Sequence, residues 1–268
     1  MKPRMRPFVL AAGLLLAGFA LAQPETFPAA RARGELVVGV PYLAPPPVAG
    51  AKIRTPEGLD AAITEKLGVS LKLPVRLVQL PADEAARALA AGEVDLVLAD
   101  RADGQPPTVA TQATGYAARP KAVIRSDTRL RKPEDVQGRS VCMAEAATQA
   151  RALAQRWGAT VKTYRVPSDA LVAVREGDCD IGLVDDAVWE PLMRFPEWKK
   201  FSSTLTADGA RRERVWLLSA QDEASRAWLG QEMRAWDRAG AWKAMTTKWA
   251  RDVAFDVYLD QEVPDCHG

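Results

Sequence analysis

The sequence predicts an α/β fold of two lobes, each a mostly parallel sheet flanked by helices. Two stretches 85 residues apart nearly repeat each other. The first runs Leu89-Ala90-Ala91-Gly92-Glu93-Val94-Asp95-Leu96-Val97-Leu98-Ala99-Asp100. The second runs Val174-Arg175-Glu176-Gly177-Asp178-Cys179-Asp180-Ile181-Gly182-Leu183-Val184-Asp185. Each reads as a helix end, a glycine C-cap, an acidic pair, a short apolar strand and a final aspartate. Each also closes a run in which strand and helix patterns alternate, which is how a parallel sheet is written in sequence. Ligands bind at the carboxyl edge of such sheets. Two units facing each other therefore form a cleft with an acid on each wall.

The elements follow in order. Residues 35 to 40 read as a buried strand, followed by an irregular loop holding Tyr42 and Pro45-Pro46-Pro47. Gly58 to Leu67 reads as a helix capped by Gly68, and Val75 to Leu80 as a strand. Asp83 to Ala91 is a helix stopped by Gly92, and Val94 to Ala99 a strand. Asp100 to Gly115, rich in Gly, Pro, Thr and Gln, reads as loop, and Ala122 to Arg125 as extended chain. The second rhythm starts at Lys132-Pro133-Glu134-Asp135, where Pro133 suits a first helical turn. Strands are expected at Arg139 to Ala144, Val161 to Val166 and Asp180 to Val184, with helices at Thr148 to Trp157 and from Ser168, as cap, to Glu176. Val215 to Ser219 is a further strand. Leu229, Met233 and Trp236 then fall at helical spacing, and Ala241 to Ala250 continues as helix after Gly240. Trp228, Trp236, Trp242 and Trp249 read as core residues rather than a ligand-stacking ladder.

Composition narrows the functional classes. Lys2, Arg4 and Arg6 precede an apolar run from Phe8 to Leu21, and Ala20-Leu21-Ala22 fits a cleavage site. Residues 1–22 are thus expected to be a signal peptide, leaving about 245 residues exported to a periplasm-like compartment. Thirty-six basic against 34 acidic residues give a net charge of +2, which exerts no long-range pull on nucleic acid or anionic membranes. The basic cluster Arg211 to Arg214 reads as solvated surface. An oxidising compartment permits a disulfide between Cys142 and Cys179 if their strands are neighbours. Cys266 pairing back to the body is the competing arrangement.

At this point the residues resemble the family 3 extracellular solute-binding proteins of bacterial ABC importers, the polar amino acid type. Gly34-Glu35-Leu36-Val37-Val38-Gly39-Val40 is similar to that family's first strand. Gly58-Leu59-Asp60 with Ile63 to Gly68 resembles its first helix, and Ala88-Leu89 with Gly92-Glu93-Val94-Asp95 resembles its "A-L-x-x-G-x-x-D" stretch. Asp135 to Val141 resembles "D-L-x-G-K-x-V", and Gly240 with Lys248-Trp249 the closing "G … K-W". The resemblance implies two lobes joined by two hinge crossings that close on a small ligand. Lobe 1 would hold residues 23–120 and 214–268, and lobe 2 residues 121–213. It also implies a monomer that delivers its ligand to an ABC permease of the inner membrane, without cofactor or metal.

The departures from the family bear on the ligand. Members that bind α-amino acids carry an arginine in the loop after the lobe 1 strand, which forks onto the ligand carboxylate. Here that loop reads Asp100-Arg101-Ala102-Asp103-Gly104-Gln105-Pro106-Pro107-Thr108, with Pro107 near the expected arginine. Arg101 is the candidate replacement. The family's "G-T-T" anion nest reads Ala146-Ala147-Thr148, whose amides at a helix start can still hold a carboxylate. Asp185 matches the family's amine-binding aspartate, Asp100 stands at the equivalent end of lobe 1, and Tyr42 matches an aromatic that stacks on the ligand. Asp60 reads as surface.

Enzyme readings are weaker. His267, one residue from the end, is the sole histidine, which argues against a histidine-based triad, zinc site or general base. A cyclohexadienyl-type dehydratase would need an acid such as Glu145 at the cleft edge. An accessory protein of a quinoprotein dehydrogenase, or a sensor module, would use the same fold, with the aromatic stretch Trp189, Phe195, Trp198 and Phe201 as a docking face.

Overall fold

The computed structural model describes residues 25–43, 59–102, 104–198, 200–202, 205 and 211–259. The expected signal peptide and Cys266 lie outside the described residues. Among those described, no helix is long and apolar enough to cross a membrane.

Two five-stranded sheets form the frame. The first contains β1 (Leu36–Val40), β2 (Val75–Gln79), β3 (Leu96–Asp100), β4 (Val109–Ala118) and β10 (Arg212–Ser219), in the order β2-β1-β3-β10-β4. The second contains β5 (Pro120–Arg125), β6 (Ser140–Ala144), β7 (Thr160–Tyr164), β8 (Ile181–Asp185) and β9 (Phe201–Ser202), in the order β7-β6-β8-β5-β9. In each sheet three parallel strands are followed by an antiparallel one, β10 beside β3 and β5 beside β8. The two sheets thus share one plan, and β3 and β8, which carry the repeated stretches, occupy equivalent places in it.

The repeat has a local cause. The carboxylate of Asp95 accepts from the Val37 amide at 2.8 Å and from Arg33. The carboxylate of Asp180 accepts from the Ser140 amide at 2.9 Å and its hydroxyl at 2.8 Å. Each acid therefore ties the start of its own strand to the start of the central parallel strand, satisfying an amide that the ladder leaves open. Before β8, Gly177 sits at φ 92°, the left-handed conformation that ends the preceding helix at low steric cost.

Helices cover the sheets. They are α1 (Pro28–Arg33), α2 (Asp60–Leu71), α3 (Ala85–Ala90), α4 (Thr148–Arg156), α5 (Pro167–Glu176), α6 (Asp186–Leu192), α7 (Glu223–Arg238) and α8 (Ala241–Leu259). The core is aliphatic under the strands, with Leu36, Ile63, Leu67, Leu96 and Leu98 fully buried in the first lobe. Ile124, Met143, Leu153 and Ile181 play that part in the second. Helix α7 lies on β4, whereas α8 packs chiefly on α6 and α5, beside the second sheet. The chain's last helix thus reaches across both lobes. Cys142 and Cys179 form a disulfide with Cα atoms 6.0 Å apart, joining β6 to the residue that leads into β8.

Several expectations are corrected. Residues 109–115, expected as part of a loop, belong to β4, which is held by antiparallel pairing with β10 over most of its length. Its sequence Val-Ala-Thr-Gln-Ala-Thr-Gly-Tyr-Ala-Ala lacks an apolar run, and the partner strand supplies what local propensity does not. Gly68 does not cap α2 but lies inside it, where Val75 packs so closely that a Cβ would stand 2.3 Å from the Val75 Cγ2; the helix ends instead at Lys72, at φ 58°. Ser168 is not a cap either; α5 begins at Pro167, whose fixed φ suits the first turn, and Ser168 is buried inside the helix. The aromatic stretch is packing rather than a docking face: Trp198 is 1% exposed, Phe201 is buried, and Lys121 covers the Trp189 ring at 4.2 Å.

Candidate functional site

The carboxyl edges of β1, β3, β6 and β8 meet at a cleft of about 1100 Å³, counting its solvent-open part. On the first wall stand Tyr42 after β1, Asp60 at the start of α2 and Asp100 at the end of β3. On the opposite wall stand Ala147, Thr148 and Gln149 where β6 passes into α4, and Asp185 at the end of β8. Tyr116 of β4 and Arg212 and Arg214 of β10 line it between these walls, and Trp249 of α8 borders it.

Of the residues singled out by sequence, Tyr42, Asp100, Ala147, Thr148 and Asp185 thus come together around one space. Arg101 does not join them. Strand alternation sends its side chain away from that of Asp100. Its amide donates to the Glu213 carbonyl at 2.8 Å and its Nε to Glu213 Oε2 at 2.9 Å. Asp60, read as surface, is a lining residue. Arg212 and Arg214 escaped the sequence reading because their cluster looked like solvated surface. The signal present was period two: Arg212 and Arg214 share one face of β10, with Glu213 on the other. Trp249, read as core, is buried and also lines the cleft.

The two strand-end aspartates differ electrostatically. Arg214 is opposite Asp100 in the antiparallel ladder and donates to its Oδ1 at 3.0 Å, and it also pairs with Asp60. The Arg214 side chain is 18% exposed. Burial works against its charge, but Asp60 and Asp100 outweigh that and hold the guanidinium above the ordinary arginine range. The second oxygen of Asp100 accepts from Gln149 Nε2 at 3.0 Å, a hydrogen bond that spans the cleft.

Among the described residues Asp185 has no such partner. Its neighbour in the ladder is Pro120, and among those residues its one hydrogen bond from a side chain comes from the Tyr116 hydroxyl at 3.5 Å. Enclosure by protein pushes its carboxyl up to about 6; Arg214 opposes this, and the charges of Asp100, Asp60 and Asp186 reinforce it. The side chain opens onto the cleft, so solvent screens part of this effect. Burial, and then the charge of Asp185, lift Tyr116 well above the usual phenol range.

Beside the cleft the two crossings between lobes are fastened to one acid. Asp186 opens α6; its Oδ1 accepts from the Arg119 amide at 3.2 Å, and its amide donates to the Arg119 carbonyl at 2.9 Å. Its Oδ2 is 3.3 Å from Arg119 Nε and 2.8 Å from Arg211 Nη2. Arg119 lies in the crossing from β4 to β5, and Arg211 in the crossing that enters β10. On the far wall, α4 begins at Thr148 with no side-chain cap from Ala147, which leaves first-turn amides for an anion in the cleft. Glu145, the acid a dehydratase reading would need, is exposed and is not among the lining residues.

No family model matches the sequence, and no curated protein matches it. Solved structures do match in fold. A mutant of ArgBP from T. maritima aligns over 83% of this chain and 98% of its own at 17% identity, with a TM-score of 0.58. The amino acid ABC transporter substrate-binding protein AbpA from Streptococcus pneumoniae, bound to L-arginine, aligns over 84% and 98% at 12% identity, with a TM-score of 0.60. An ancestral cationic amino acid solute binding protein aligns over 83% and 98% at 16% identity, with a TM-score of 0.59. The chain therefore has the two-lobe α/β fold of the substrate-binding proteins of amino acid ABC transporters.

Proposed function

We propose that this protein is a periplasmic solute receptor that closes on a small polar, amine-bearing ligand and delivers it to an ABC permease. One observation carries the reading: Asp185 faces the cleft with a carboxylate that forms no ion pair with any described side chain. A ligand ammonium or guanidinium supplies the missing charge, and in a partly desolvated cleft such a pair is stronger than in water. Among the described residues of the lining, three acids stand against two arginines, an excess of negative charge that also favours a cation. Tyr42 offers a flat face to the ligand, and the α4 amides beside Thr148 donate to an anionic group. Structural neighbours that bind L-arginine or are named for cationic amino acids support the same ligand chemistry. On this reading the chain is exported by its first 22 residues and works as a monomer, with no chemical step of its own.

The test is calorimetric titration of the mature protein with amino acids, polyamines and other amines. A saturable heat from at least one of them is expected, and Asp185→Asn should weaken that binding at least tenfold. Affinity unchanged by the substitution would remove Asp185 from the site, and a panel without any binder would remove the receptor reading.

A further inference from the structure

Arg212 opens β10 at the second crossing and pairs in the ladder with Ala118; both residues line the cleft. It shares that side of the strand with Arg214. Arg214 is already engaged by Asp60 and Asp100, whereas the exposed guanidinium of Arg212 has no ion pair or side-chain hydrogen bond among the described residues. Its anchor is close to that of Asp185. Ala118, opposite Arg212, and Pro120, opposite Asp185, are two residues apart, a span of at most about 7 Å of chain. The adjoining residues Arg211 and Asp186 are clasped at 2.8 Å, which fixes the two strand ends side by side.

A cation and a carboxylate, each without an ion-pair partner among the described residues, thus flank one crossing and face one space. Building on the receptor reading above, we propose that Arg212 grips the carboxylate of a zwitterionic ligand whose ammonium pairs with Asp185. The lobe 1 loop cannot supply this grip, because Arg101 is turned onto Glu213. A guanidinium fork suits a carboxylate better than a point charge does, and its place at a crossing keeps it beside the ligand as the lobes move.

Amino acids and their decarboxylated counterparts, such as L-arginine with agmatine and L-ornithine with putrescine, separate the two charges. Calorimetric titration of wild type should show tighter binding of an amino acid than of its amine. Arg212→Ala should weaken the amino acid by about tenfold to a hundredfold, the worth of a hydrogen bond to a charged group. It should leave the amine unchanged or slightly tighter. Arg101→Ala serves as the control and should affect neither. Equal loss for both members of a pair, or no loss for either, would overturn the role of Arg212 while leaving the receptor reading in place. A wild-type protein that binds neither member of any pair would overturn both, and that result is seen before any substitution is made.

Discussion

Arg214 faces Asp100 across the β3–β10 ladder and donates to its carboxylate at 3.0 Å. Asp185 occupies the equivalent position in the other sheet, but the residue across from it is Pro120. Two aspartates that look interchangeable in sequence are therefore one acid neutralised by an arginine and one carboxylate that opens onto the cleft.

This asymmetry predicts a pH dependence. The ordinary aspartate value is about 4, and folding raises Asp185 to about 6. Between those values the folded chain holds a proton that the unfolded chain has lost, so ligand-free stability falls as pH rises through the window and levels off above it. A bound cation favours the ionised form. Affinity for a cationic ligand should therefore rise with pH up to about 6 and flatten above about 7, with proton release on binding below that. Titration in buffers of different ionisation enthalpy measures the release, and Asp185→Asn should abolish it.

Removing Arg214 should be more damaging than removing either acid. Arg214→Ala leaves Asp60 and Asp100 facing each other without their shared cation. Because the cluster is about one-fifth exposed, a loss of about 2–3 kcal/mol is expected, below the range for fully buried pairs. Asp100→Asn keeps one acceptor oxygen for Arg214 and turns the other position into an N–H donor that Gln149 meets by rotating its amide; it should cost about 1 kcal/mol. Urea unfolding midpoints at constant m-value decide between them.

Asp186 should act on the relation between the lobes. Its carboxylate is 9% exposed, but Arg119 and Arg211 are about half exposed. Asp186→Ala is therefore expected to cost only about 1–2 kcal/mol. The larger effect should be a looser pair of crossings, read as an increased radius of gyration of the ligand-free protein in small-angle scattering. An unchanged radius would mean that the packing of α8 on α5 and α6 sets the lobe geometry.

The disulfide should contribute mainly to the second lobe. Cys142 and Cys179 are 37 residues apart, and closing such a loop restricts the unfolded chain by roughly 2–4 kcal/mol. The double substitution Cys142→Ala and Cys179→Ala should lower the unfolding midpoint accordingly. Ligand affinity should change little, since neither cysteine lines the cleft.

The sequence alone determined the two α/β units, their order and the carboxyl edges where a site had to lie. Periodicity and glycine stops are local, and the repeated stretches carried them openly. It also placed Asp185 and the start of α4 at the cleft, because a residue at a strand end has few places to go. Tertiary structure decided the rest. Strand β4 exists because β10 pairs with it, not because its own residues prefer extension. Gly68 is needed inside a helix because Val75 packs where a side chain would stand. Most of all, the charge at each wall depended on which side chain the antiparallel neighbour brings opposite: Arg214 for Asp100, Pro120 for Asp185. That choice joins residues more than 60 positions apart in the chain, and no local pattern in the sequence records it.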